Sequence, residues 1–167
     1  SYAWSNDSTG TSLGSGSSIT LTATVASSGD TISCTATASD SYGGSDSDSA
    51  SVLVENGDPV ISSVSVVPSS GVTTSSSLTC SATATDPDGD TTSISYAWSN
   101  DTTMTSLGSG SSLTLTPASS SPGDSISCTA TASDGLGGTG SDSASVTVEN
   151  TAPMITEAIR VSFCILS

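Results

Sequence analysis

Asp86, Asp88 and Asp90 occupy alternate positions of one short stretch, 86–90 (DPDGD). Three carboxylates at that spacing, with Gly89 free to make a sharp turn between them, can converge on a hard cation such as Ca²⁺, which is held by oxygen ligands. The other reading of the same residues is a solvated acidic turn, since Asp favours turns for conformational reasons alone. Asn6-Asp7-Ser8 and Asn100-Asp101-Thr102 are N-x-Ser/Thr sequons, which makes Asn6 and Asn100 candidate glycan acceptors. Cys34, Cys80, Cys128 and Cys164 complete the reactive side chains. There is no His, and the single Lys or Arg is Arg160, set against 16 Asp and Glu for a formal charge of -15. A serine here has no base to activate it, and no lysine offers an amine for Schiff-base chemistry. One guanidinium cannot neutralise a row of phosphates or hold a protein on an anionic bilayer. The residues thus argue against an enzyme, against nucleic-acid partners and against membrane insertion, because no segment reaches the roughly 20 consecutive apolar residues of a spanning helix.

The elements that position these groups read as β-strands. Segments 77–85 (SLTCSATAT) and 125–132 (SISCTATA) alternate polar and apolar residues with period two. Leu78, Cys80, Ala82 and Ala84 fall on one face of the first, and Ile126, Cys128, Ala130 and Ala132 on one face of the second. Thr35, Thr37, Thr83 and Thr85 take the outward positions, where high β propensity explains them better than a flat ice-binding face does. In the complete copy strands are predicted over 59–67, 78–85, 94–99, 112–116, 124–132 and 141–148. Gly, Pro, Asp and Ser separate them, and the fold class is all-β.

The chain repeats itself. Segment 1–18 (SYAWSNDSTGTSLGSGSS) returns at 95–112 (SYAWSNDTTMTSLGSGSS), and at this offset of 94 residues 44 of the first 61 positions are identical. The unit is of the size of a β-sandwich domain. The complete copy spans 57–150.

Cys80, the loop 86–90, the motif 96–98 (YAW), segment 122–128 (PGDSISC) and the linker-like 148–153 (VENTAP) together resemble the immunoglobulin-like, PKD-like and cadherin-like tandem repeats of secreted or surface proteins of bacteria and archaea. The resemblance implies tandem Greek-key β-sandwiches, with the predicted strands as A, B, C, E, F and G. It implies a disulfide between Cys80 on B and Cys128 on F, packed against Trp98 on C. Such a bond fits an extracellular, oxidising compartment. In cadherin-like arrays the linker adds calcium ligands, and by that resemblance Asp58, Glu55 and Glu149 join the Asp86, Asp88 and Asp90 set. Ile126 stands where antibody-type domains carry a corner Tyr, and the WDFGDG-like signature of strict PKD domains is missing.

The phase of the repeat is broken. Segment 1–56 supplies strands C to G without A and B, whereas 151–167 supplies a counterpart of strand A, its 153–162 (PMITEAIRVS) matching 59–68 (PVISSVSVVP). An incomplete sandwich leaves an apolar face and unpaired strand edges exposed. Two readings stay open. In one, 151–167 of one subunit completes the first domain of the next, giving a head-to-tail filament by strand donation, with Cys34 and Cys164 as candidates for an intermolecular bond. In the other, the sequence is a piece of a longer repeat array, its partners being adjacent repeats and any glycans. The expected function is a structural subunit of an extracellular filament or stalk; a calcium-stiffened adhesin segment and a non-catalytic spacer of a secreted enzyme are the alternatives.

Overall fold

The computed structural model describes residues 1–154. The expected strand or donor over 151–167 therefore lies, from residue 155 on and with Cys164, outside the described residues. Among the described residues all regular structure is β: β1 (Tyr2–Asn6), β2 (Thr11–Ser15), β3 (Thr31–Ser39), β4 (Ser45–Leu53), β5 (Val60–Val67), β6 (Ser77–Thr85), β7 (Ser93–Asn100), β8 (Thr105–Ser109), β9 (Ser112–Thr114), β10 (Ser125–Ser133) and β11 (Thr139–Thr147). They form three antiparallel sheets, β2-β1-β3-β4, β11-β10-β7-β8 and β5-β6-β9. The second and third face each other as an immunoglobulin-like β-sandwich, and β5 also runs beside β11.

Alternation produces the core of this sandwich. Leu78 and Cys80 of β6, Trp98 of β7, Ile126 and Cys128 of β10, and Val146 of β11 point inward and join Val66, Val72, Leu115 and Val148. Cys80 and Cys128 are bonded, with Cα atoms 6.3 Å apart, and Trp98 is 1% exposed. The Trp98 indole Nε1 donates to Gly110 O at 2.9 Å, so its polar edge is satisfied where its body is buried. The Tyr96 hydroxyl accepts from Ala82 N across the sheets at 3.2 Å. Further along β10, Ala130 and Ala132 are also buried.

The first sheet repeats the pairing of the second. Trp4 lies opposite Cys34 and Gly14, as Trp98 lies opposite Cys128 and Gly108, and both hairpins carry an irregularity after the Trp. No sheet corresponding to β5-β6-β9 faces it among the described residues. Two differences from the sequence reading follow from pairing. Strands β2 and β8 were not anticipated, because TSLGS offers one apolar residue and a Gly rather than alternation. Strand E, expected over 112–116, pairs as β9 with β6 through Leu113 and Leu78. Its counterpart in the first copy, 18–22, is not a strand, since no β6 lies beside it.

Candidate functional site at the junction of the two units

The linker between the units and two turns of the sandwich meet at one end of the second unit. The turn after β6 is organised by Asp86, whose Oδ1 accepts from Asp88 N at 2.8 Å and Asp90 N at 3.3 Å. Gly89 closes it at φ 83°, in the left-handed region that side chains other than Gly rarely occupy. The result brings a carboxylate oxygen from each of Asp86, Asp88 and Asp90 within 4.8 Å of one another. The linker docks onto this turn: Asp88 Oδ2 accepts from Gly57 N at 2.7 Å and from Ser28 Oγ of the first unit at 3.2 Å.

The turn between β10 and β11 supplies the other half. Asp134 Oδ1 accepts from Leu136 N at 2.7 Å and Gly138 N at 3.0 Å, which leaves Oδ2 to accept Asn56 Nδ2 at 2.7 Å. The Asn56 amide, followed by the backbone amides of its own turn, holds the Asp134 carboxyl below its ordinary 3.8. Gly138 is required here: a Cβ would fall on the Asp134 carboxylate and on Asn56 Nδ2.

Asp86, Asp88 and Asp90 fit a hard cation in donor chemistry. Asp86 Oδ2, Asp90 Oδ2 and Asn56 Oδ1 are buried and accept no hydrogen bond, an arrangement that is costly when the groups are left unpaired. Burial first, then the charges of Asp86, Asp88 and Asp134, raise the Asp90 carboxyl above its ordinary value. The linker residues expected to complete the set do not join it. Asp58 is exposed and its Oδ1 accepts from Thr139 N at 3.3 Å, and Glu149 lies at the other end of the unit with Oε1 on Gly71 N at 2.7 Å. Asn56, which sequence reasoning missed, sits at the junction instead; its repetition as Asn150 and that of Asp134 as Asp40 were the available signal.

The sequon asparagines are not on the surface. Asn6 and Asn100 are each 1% exposed. Asn100 Nδ2 donates to Asp124 Oδ2 at 2.7 Å and Ser119 O at 3.3 Å, while its Oδ1 accepts from Thr102 N and Thr103 N. Asn6 repeats this with Asp30, Val25, Ser8 and Thr9. Both amides staple the turn after the Trp strand to the loop before the next, so the folded chain presents no acceptor nitrogen at either sequon. The Asp30 carboxyl is held below its ordinary value, first by the Ser27 backbone amide and then by Asn6.

Cys34, the counterpart of Cys128, is half-buried and has no disulfide partner among the described residues. The grooves under the loops 19–27 and 117–121, about 400 and 430 Å³, occur at equivalent places in both copies and gather no titratable group beyond Asp30 and Asp124. Compared with known families, residues 56–149 match the model of a bacterial Ig domain. No curated protein matches the chain.

Proposed function

Because the chain belongs to the bacterial Ig domain family, we propose that it is a structural module of a long extracellular assembly, a filament or stalk, in which neighbouring copies complete one another's sheets. The family is non-catalytic and its domains are often extracellular or on the cell surface. The disulfide and the absence of His and Lys agree with that setting and role.

One observation carries the reading. The strands that β5, β6 and β9 cover in the second unit lie uncovered in the first: Val146 is 6% exposed and its counterpart Val52 is 59%, while Cys128 and Ala132 are buried and Cys34 and Ala38 are not. Such a face takes a covering layer, from an adjacent repeat or from another copy. Segment 151–167 of another copy, arriving beside β4 as β5 arrives beside β11, supplies one by strand donation. The approach differs at its start. Gly140 admits the Pro59 carbonyl beside β11, and a Cβ there would collide with it; the first unit has Asp46 at that position, so the donated strand enters further along β4. Peptide mapping of assembled material without reduction tests this. A Cys34 to Cys164 cross-link is the expected product, and Cys34 recovered only as a free thiol sinks the disulfide-linked version of the donated strand.

The buried, unpartnered oxygens at Asp86, Asp90 and Asn56 favour one further reading, in which Ca²⁺ bound by Asp86, Asp88 and Asp90 stiffens the junction of an adhesin-like array. Millimolar CaCl₂ should raise the Tm of the chain; a Tm unmoved by calcium removes the idea.

A further inference from the structure

The contact between Asn56 and Asp134 joins the end of one copy to a turn of the next, and both of its partners recur 94 residues away, as Asn150 and Asp40. Asp40 is built like Asp134. Its Oδ1 accepts from Tyr42 N and Gly44 N, both at 2.8 Å, as Asp134 Oδ1 accepts from Leu136 N and Gly138 N. The remaining oxygen, Oδ2, takes an asparagine amide in Asp134 and takes no protein donor in Asp40 among the described residues. Gly44 matches Gly138 as well: a Cβ on Gly44 would stand 2.8 Å from Asp40 Oδ2, so the same cradle is kept open where no amide yet fills it. Gly138 is buried beneath the linker, and Gly44 is exposed. At the other end, Asn150 is exposed and follows Val148 and Glu149 just as Asn56 follows Val54 and Glu55.

We propose that Asn150 of one molecule donates to Asp40 of a second copy, reproducing between chains the junction that Asn56 and Asp134 make within one. The occupant of the Asp40 cradle is thus a second copy of this chain, docked end to end. This deepens the filament reading and rests on it, because the docking carries residues 151–154 of the first molecule toward β4 of the second.

Sedimentation velocity of the full chain over a wide concentration range tests the contact with three variants. Asn150→Asp puts a carboxylate against the Asp40 carboxylate and should weaken association about tenfold, through loss of one desolvated hydrogen bond and gain of a like charge. Asp40→Asn keeps the oxygen that caps its own turn. Combined with Asn150→Asp it reverses donor and acceptor, and the double variant should associate within about threefold of the wild type. Neither site is buried, and an unchanged Tm of the dilute variants separates docking from folding. If the wild type associates and Asn150→Asp leaves it unaffected, or the double variant fails to recover, the contact is wrong while the filament reading stands. If the wild type stays monomeric at every concentration, both fall.

Discussion

Sheet β2-β1-β3-β4 and sheet β8-β7-β10-β11 are written in nearly the same residues and pair in the same register, yet only the second has a core. Trp98, Ile126, Cys128, Ala130 and Val146 are buried, whereas Trp4, Cys34 and Ala36 are half-buried and Val52 is exposed. The exception is instructive. Ile32 is 1% exposed like its counterpart Ile126, and Asn6 and Asn100 make the same four hydrogen-bond partnerships. The end of the sheet organised by local turns is therefore complete in both copies, and the middle, which depends on β5, β6 and β9, is complete in one. Register within the sheet is the same in both copies, but burial is set by the layer across from it.

The comparison breaks hardest at the cysteines. Replacing Cys80 and Cys128 by Ser should cost the second unit about 4 kcal/mol, the loop-entropy value for a closure of some fifty residues, read from urea unfolding. Cys34→Ser in the dilute monomer should change stability by less than about 0.5 kcal/mol. Equal effects at the two sites would mean that the first sheet is covered after all. Truncating the paired valines sharpens the same point at smaller scale. Val146→Ala should cost about 2 kcal/mol and Val52→Ala almost nothing in the monomer, with the Val52 cost emerging in assembled material. The staples predict the opposite pattern. Asn100→Ala and Asn6→Ala should each destabilise their own unit by about 1 to 2 kcal/mol, because each strands a carboxylate and two backbone amides.

The smallest effect concerns acid. The Asp134 carboxyl is held below 3.8 chiefly by Asn56, so its ionised form favours the joined state. Its contribution is full above the ordinary carboxyl range and is lost as pH falls through the lower value it has in the fold. Melting followed between neutral pH and pH 2 should show a shallower acid decline in Asn56→Ala than in the wild type. Identical profiles would remove Asn56 from the junction.

Much of this was legible beforehand, for reasons that differ by residue. Period-two alternation found β6 and β10 because their inward faces carry Ile, Leu, Cys and Ala against outward Ser and Thr. It could not find β2 or β8, where pairing with the Trp strand rather than composition makes the strand. The Asp86, Asp88 and Asp90 cluster was readable because it is local. Glu149 falls outside the set because nearness to a linker in sequence says nothing about which end of a sandwich a side chain reaches, and Asp58, at the right end, gives its carboxylate to Thr139 N instead. Asn56 and Asp134 lie 78 residues apart, and only the fold brings them together. The sequons misled because Asn, which accepts turn amides and donates to a carboxylate, serves a buried turn as well as it serves a glycan.

The Cys80–Cys128 bond has a mechanical side. When a chain is pulled from its two ends, each unfolded residue yields roughly 3.4 Å of length. The matched unit runs from 56 to 149, but the bond short-circuits a separation of 48 residues within it. Tension can draw out only about half of the unit, on the order of 160 Å instead of 320 Å. The stapled module is thus a short tether with a hard stop.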